Sequence, residues 1–334
     1  MSLFKTILAA VVLFGLATFL NATEPNQAPQ PAALSAAPEN PVTPVAEKEQ
    51  GEHHGLPSAA VPLFHVGPLP VTNSMLVTWV VAIGLIIFAQ VAVRKVEAVP
   101  SGAQNFWEWL VESLYEFLEG IIGREVAKKT FWFFATIFIF ILFTNWFGLL
   151  PGVGTIGMGT HPTGSFLGLP SFSHVERPIL RGGNADLNMT FAMAGIFAVL
   201  WFVWSLRFAG VKGSFLHIFG PKGDNTGFIK YMMIVVFFAV GFLEVISIAF
   251  RPIALSFRLF GNIFAGENLL ESLARTVQHP AWARAVFSVL LPVPFYFLEL
   301  LVGLVQAFVF MLLTTVFTAL MVTHDDDHPK EEHH

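Results

Sequence analysis

The chain has 334 residues, of which 54% are hydrophobic and only 12% are charged, and its formal net charge is −5. A soluble domain of this size needs far more polar surface than that composition supplies, so we predict a polytopic protein of the lipid bilayer. The absence of cysteine excludes disulfides, thiolate metal sites and cysteine nucleophiles. No Walker-type GKS or GKT sequence occurs, so we expect no P-loop nucleotide site, and also no cofactor, no metal and no nucleic-acid partner.

The first 22 residues are typical of a secretory signal peptide. Lys5 precedes an apolar run over residues 7–20, and the small Ala22 marks a cleavage site. A retained membrane anchor is the alternative, and both place the following segment outside the cell. Residues 23–73 are rich in Pro, Ala, Glu and Gln, which predicts a disordered external arm.

Five apolar segments predict an all-α channel domain over residues 74–323, followed by a cytoplasmic tail over 324–334. The predicted spans cover residues 74–93, 131–150, 187–206, 228–270 and 286–322. The last two exceed the roughly 20 residues that cross a bilayer. We therefore expect them to be long and strongly tilted, or broken part-way.

The basic residues predict the orientation of these spans. With the N-terminal arm outside, most of them fall on the cytoplasmic side: Arg94, Lys95, Arg124, Lys128, Lys129, Arg207, Lys212, Lys222 and Lys230. Four fall in the external loops: Arg177, Arg181, Arg275 and Arg284. The positive-inside rule favours this topology, which leaves the C-terminus in the cytoplasm.

An amphipathic helix is predicted between the first two spans, over residues 105–123. Trp107, Leu110 and Leu114 share one face, and glutamates occupy the others. The pattern indicates a helix at the cytoplasmic interface or against a partner, and a plain connecting helix is the alternative.

A glycine motif, Gly152-Val-Gly-Thr-Ile-Gly157, fits G-x-G-x-x-G but lacks the preceding strand and the later acidic residue of a dinucleotide site. We interpret it as a flexible external loop.

Charged and polar residues recur within the last two apolar segments. At 100° per residue, one stripe of the fourth span carries Glu244, Ser247, Arg251, Arg258 and Asn262. Glu267 lies on another side of that helix, about 13 Å beyond Arg258 along its axis. In the fifth span Glu299 and Gln306 share a face, because they are seven residues apart.

One intramembrane glutamate or glutamine is often a hydrogen bond that only holds a helix bundle together. An arginine near mid-membrane with a glutamate on each side of it in depth instead indicates an ion pathway or a proton relay.

The run PIALSFRLFGNIFAGE, which contains Arg258-Leu-Phe-Gly-Asn262, is similar to the signature of subunit a, the membrane stator channel of F-type ATP synthases. The resemblance extends from the first span to Val322. It includes Asp186-Leu-Asn-Met-Thr190 before the third span and Val305-Gln-Ala-Phe308 in the fifth.

The resemblance implies a role for each matching residue. Arg258 matches the stator arginine that faces the carboxylates of a rotating c-ring. Four residues match the external half-channel: Asn262, Glu267, Glu299 and Gln306. Glu244 and Ser247 match the internal half-channel, and three residues are accessory: Arg251, Asn145 and Asn188.

Two positions depart from the family pattern. Glu299 stands where some members have histidine, so the Glu267–Glu299 pair consists of two acids, which we expect to share a proton. Gly148 stands where some members carry aspartate, so another part of the chain must supply that wall of the path.

The implied function is that of a proton-translocating stator subunit of the bacterial inner membrane, with no catalytic site of its own. Two half-channels would load and unload the c-ring carboxylates and so couple ion flow to ATP synthesis. The implied partners are the c-ring and the b subunits of the peripheral stalk. The alternatives are a sodium-coupled version of the same subunit, and an unrelated secondary transporter, which would show repeated halves that this sequence lacks.

Overall fold

The computed structural model describes residues 60–322 apart from residues 68, 95, 151–152, 155–156, 159–161, 167–168, 173–176, 209, 220–227, 275 and 277–280. The predicted signal peptide, most of the predicted external arm and the tail over 324–334 lie outside the described residues.

Eight α-helices occur in the described part of the chain. They are α1 (Asn73–Ala92), α2 (Gly102–Ile122), α3 (Arg124–Gly148), α4 (Leu187–Phe208), α5 (Gly210–Phe219), α6 (Phe228–Ala274), α7 (Ala281–Leu290) and α8 (Pro292–Val322). Five segments of the described chain are long and apolar enough to cross a membrane, and they fall in α1, α3, α4, α6 and the stretch that α7 and α8 form together. This confirms the prediction of an all-α polytopic membrane protein with five spans.

The central helix is α3, which packs against α1, α2 and α8. Its phenylalanines fill the core, and the side chains of Phe134 and Ile141 have no exposed surface. The ring of Phe133 lies 5.8 Å from that of Trp204 on α4. Lipid is as apolar as these side chains, so the hydrophobic effect does not hold helices together inside a bilayer. Close packing stabilises the bundle there through dispersion contacts.

The predicted amphipathic helix is α2, and it turns directly into α3. The single residue between them, Gly123, has φ +73°, a conformation that glycine adopts at no steric cost. The face that includes Leu114 and Leu118 is buried, and the ring of Phe117 lies 5.0 Å from that of Phe308 on α8. This apolar face therefore packs against the chain's own spans.

The long fourth span is one unbroken helix, whereas the fifth is interrupted. Helix α6 runs for 47 residues through Pro252, and about 70 Å of helix exceeds the ~30 Å hydrocarbon core. A straight apolar stretch over Val236–Leu273 would have to incline by about 60° from the bilayer normal to fit that core. The interruption between α7 and α8 lies at Leu291, directly before Pro292, which lacks the N–H that a continuous helix needs.

Three short antiparallel strand pairs occur in the segments that the sequence predicted to be a disordered arm and external loops. They are β1 (Pro62–Val66) with β2 (Leu69–Thr72), β3 (Gly157–Met158) with β6 (Arg177–Pro178), and β4 (Pro162–Phe166) with β5 (Leu169–Phe172). The prediction of disorder up to residue 73 is therefore wrong from Pro62 onward. Asn73 explains why, since its side chain accepts the Val61 N–H at 3.2 Å and donates to the Pro178 carbonyl at 2.9 Å. The predicted flexible loop is likewise paired in part, at Gly157.

Candidate functional site

Arg258 lies on the exposed side of α6, next to the face that packs into the bundle. Leu255, Leu259 and Ile263 are buried, whereas Arg258 and Asn262 are exposed. Within the part of the chain that the structure describes, no carboxylate lies within ion-pairing distance of Arg258. The guanidinium is therefore available to a negatively charged group on another molecule.

One turn beyond Arg258, two amide side chains join α6 to α8. The Asn262 Nδ2 donates to the Gln306 Oε1 at 2.8 Å. On its buried side α6 is joined to α4 by the hydroxyls of Thr190 and Ser256, which are 3.0 Å apart. These bonds fix the rotation of α6 about its axis, and with it the direction in which Arg258 points.

Three polar residues of the predicted stripe lie on the N-terminal side of Arg258 in α6. Glu244 is half-buried and Ser247 is exposed. The guanidinium carbon of Arg251 lies 4.7 Å from the ring centroid of Phe317 on α8, which is within the range of a cation–π contact. The structure thus separates this group from Arg258 by up to four helical turns, roughly 21 Å for Glu244.

A polar cleft, which we call the outer cleft after the predicted orientation, lies beside the C-terminal half of α6. Its lining residues are Thr144, Asn145, Gly148, Leu149, Gly182, Ile263, Glu267 and Glu299. The structure therefore brings Glu267 and Glu299 together, as their predicted depths require. The Glu299 side chain packs directly on α6 at Gly266, where any β-carbon would overlap its carboxylate.

Arg181 contacts Glu267 of this cleft, and the sequence patterns did not identify it as a site residue. Its side chain is 1% exposed, and its Nε lies 3.9 Å from the Glu267 Oε2. Burial lowers the pKa of the Arg181 guanidinium below its usual value, while the charges of Glu267 and Asp186 oppose that shift. The available signal was an arginine followed by two glycines, two residues before the Asp186-Leu-Asn sequence.

Asp186, whose charge acts on Arg181, is held in place by two hydrogen bonds. The Ser74 Oγ donates to the Asp186 Oδ2 at 2.5 Å, and the backbone N–H of Asn188 donates to the Asp186 Oδ1 at 3.0 Å. The side chain of Asn188, predicted as an accessory residue, is itself exposed and does not line the cleft. Its contribution is the backbone N–H that binds Asp186 at the start of α4.

Asn145, the other predicted accessory residue of this region, does line the cleft. Its Oδ1 accepts a hydrogen bond from the Asn184 Nδ2 at 2.7 Å, and its own Nδ2 donates to the Gly303 carbonyl at 3.0 Å. Asn145 therefore links the loop before α4 to α8, next to the two glutamates.

The sequence predicts that another part of the chain supplies the wall of the path beside Gly148. The backbone of Gly182 occupies that position. A β-carbon on Gly148 would lie 3.4 Å from the Gly182 Cα, so the backbone of Gly182 fills the space beside it. A β-carbon on Gly182 would lie 2.5 Å from the Glu267 Oε1, which is closer than real side chains approach. A β-carbon at position 182 would therefore displace the Glu267 carboxylate from its place against this loop.

The described residues contain no cluster of three or more His, Cys, Asp or Glu side chains that could hold a metal ion. The polar side chains that line the cleft are the carboxylates of Glu267 and Glu299, the amide of Asn145 and the hydroxyl of Thr144.

Comparison with known proteins supports the same family as the sequence motifs. A family model described as ATP synthase A chain matches residues 75–319. The chain is 30% identical to ATP synthase subunit a of Moorella thermoacetica over 78% of this chain and 96% of the relative. It is 33% identical to ATP synthase subunit a of Gloeobacter violaceus over 79% of this chain and 90% of the relative. A further relative, the sodium ion specific ATP synthase subunit a of Propionigenium modestum, is 29% identical over 79% of this chain. The chain belongs to the ATP synthase A chain family, the membrane stator subunits of the rotary ATP synthases.

Proposed function

We propose that this chain carries protons between two half-channels and the c-ring of a bacterial ATP synthase, in the inner membrane, and so couples proton flow to ATP synthesis. The observation that carries the proposal is the position of Arg258. It is an exposed cation near the middle of a long membrane helix, between two polar groups that lie at different depths.

The proposed mechanism follows from the cost of charge in lipid. A rotor carboxylate that faces lipid must be neutral, because the ionised form loses its hydration there. Opposite Arg258 the same carboxylate is stabilised as an anion by the adjacent guanidinium. Each rotor site therefore releases its proton to one half-channel as it approaches Arg258, passes it ionised, and takes up a proton from the other half-channel.

Arg258 also separates the two half-channels. An arginine side chain does not lose its proton under ordinary conditions, so it cannot pass one on. Its positive field opposes a proton that moves directly from one side to the other. Protons then cross only with the ring, and each releases about 2.3 kcal/mol per 100 mV of membrane potential.

The two half-channels are assigned to the polar groups on either side of Arg258. The outer one contains the cleft with Glu267 and Glu299, followed by the Asn262–Gln306 bond that leads towards Arg258. The inner one begins at Glu244 and Ser247.

A sodium-coupled version is the second candidate, because one relative is named as sodium ion specific. Ligands on the rotor choose the coupling ion to a large extent, so the test is ATP-driven transport with and without sodium. Pumping that needs no sodium supports the proton version.

Cross-linking to the rotor tests the proposed function directly. The chain has no natural cysteine, so single cysteines can be placed without removing others. Phe257 on α6 is 54% exposed beside Arg258, and Phe202 on α4 is 59% exposed on another helix. We expect Phe257→Cys to form disulfides with cysteines on the outer helices of the c-ring in membranes of the complete complex. Phe202→Cys is the matched control, and equal cross-linking at both positions would contradict a rotor surface on α6.

Labelling of the same cysteine-free chain tests the proposed orientation. Val96, between α1 and α2, is 72% exposed, Phe64 in β1 is 49% exposed, and Thr276 after α6 is also exposed. With impermeant thiol reagents we expect Phe64→Cys and Thr276→Cys to react from outside, and Val96→Cys only from the cytoplasm. A cysteine at Thr276 that reacted only from the cytoplasm would refute the five-span topology and both half-channel assignments.

A further inference from the structure

We propose that Arg181 is a positioning residue of the outer cleft, a fixed cation that holds the Glu267 carboxylate and balances its charge, so that Glu267 and Glu299 together carry one exchangeable proton. This inference rests on the proposed function, since it names the residue that sets the charge and protonation of the two glutamates in the proposed outer half-channel.

The first step is the fixed position of the cation. Arg181 is almost fully buried; its Nε lies 3.9 Å from the Glu267 Oε2, and the charge of Asp186 also acts on its guanidinium. Asp186 is itself anchored by Ser74 and by the backbone of Asn188. The guanidinium also lies 5.8 Å from the Phe264 ring centroid, one turn from Glu267. A cation held in this way acts on Glu267 at a constant distance.

The second step is the count of charges around Glu267. From the loop before α4 it faces Arg181, whose guanidinium also feels the charge of Asp186; from its own helix it faces Glu271, and from α8 it faces Glu299. The residues that α3 contributes to the cleft are neutral, and α1 contributes the neutral Ser74 behind Asp186. Among the described residues, Arg181 is thus the cation that contacts this group of carboxylates.

The third step is the consequence for the proton. Two carboxylates in one buried site cannot both be ionised at low cost, and a neighbouring cation favours the ionised form of the acid that it contacts. Arg181 contacts Glu267, whereas no cation among the described residues lies within ion-pairing distance of Glu299. The pair therefore holds one negative charge and one proton, which can move to the rotor and be replaced from outside.

The experiment uses membrane vesicles that contain the complete ATP synthase with full-length variants of this chain. Arg181→Gln should lower ATP-driven proton pumping by roughly tenfold, within the range of energies that couple residues in contact. Its pH profile should move to more alkaline values, because Glu267 loses the charge that favours its ionised form. Arg181→Lys keeps a cation and should recover pumping several-fold. Arg207→Gln removes an exposed arginine at the end of α4 and is the matched control.

A second variant keeps the inference testable when assembly is affected. If Arg181→Gln lowers the amount of complex, adding Glu267→Gln should restore it, since the uncompensated carboxylate is then gone. Failure to restore it would overturn the inference. So would wild-type pumping with an unchanged pH profile in Arg181→Gln, or equal losses in the Lys and Gln variants at normal amounts of complex. An inactive Arg258→Ala beside a fully active Arg181→Gln would reject only this inference, whereas an active Arg258→Ala would reject the proposed function itself.

Discussion

Replacing Arg258 by alanine should abolish ATP-driven proton pumping and ATP synthesis while the complex still assembles. Assembly should survive because Arg258 is exposed and, within the described residues, pairs with no carboxylate, so its removal leaves no buried group without a partner. Coupled transport should fall by roughly a hundredfold or more, the scale seen when a preorganised charge is removed from a reaction site. Passive proton leak through the membrane sector should rise, because the positive barrier between the half-channels is gone.

Both fluxes are measured in the same vesicles, with the amount of assembled complex as the reference. Arg258→Lys should also fail at synthesis but leak less, since lysine carries a charge that it can lose in an apolar site. Arg94→Ala, at the exposed end of α1, is the control for the loss of an arginine elsewhere. Normal coupled pumping by Arg258→Ala would contradict the proposed mechanism.

The apolar runs were sufficient to predict which segments form helices long and apolar enough to cross a membrane. The first predicted span, 74–93, differs from α1 by one residue at each end, and the third, 187–206, falls within α4. Helix α3 begins earlier than its predicted span, at Arg124, because its charged first turns continue the helix outside the apolar window. For the two long spans, hydropathy did not decide between a continuous, tilted helix and a helix that is broken part-way. The backbone at two prolines distinguishes the two spans. Helix α6 continues through Pro252, whereas α8 begins only at Pro292.

The sequence predicted the two glutamates of the outer cleft but not the arginine that contacts one of them. Glu267 and Glu299 were found because a carboxylate inside an apolar helix is conspicuous. Arg181 was counted only as a basic residue of an external loop, since hydropathy cannot tell that a loop folds back between helices. That placement depends on tertiary packing, in which a β-carbon on Gly183 would lie 2.8 Å from the Thr78 Oγ1 and 2.9 Å from the Thr144 Cγ2. The strand pair β1–β2 was missed for a similar reason, because Asn73 joins it to a segment more than one hundred residues away.

The second large effect is expected at the pair of glutamates in the outer cleft. Glu267→Gln and Glu299→Gln should each slow ATP-driven pumping by roughly tenfold to a hundredfold, because each removes a group that accepts and returns a proton. Glutamine keeps the size and one oxygen acceptor of the side chain, so the packing of Glu299 against Gly266 and of Glu267 against Gly182 is largely retained. The loss therefore reports on proton transfer more than on folding.

The double variant decides whether the two residues form one relay. If they share a single proton, removing the first acid already disables the pair, and removing the second adds little, so the combined loss should be smaller than the product of the two single losses. Asn188→Ala, whose side chain is exposed outside the cleft, should pump normally and is the control. Pumping rates that multiply in the double variant would mean that Glu267 and Glu299 act on separate paths. Because the two carboxylates line one cleft and Glu267 is the one that contacts Arg181, we expect the losses to overlap, with Glu267→Gln the more severe of the two.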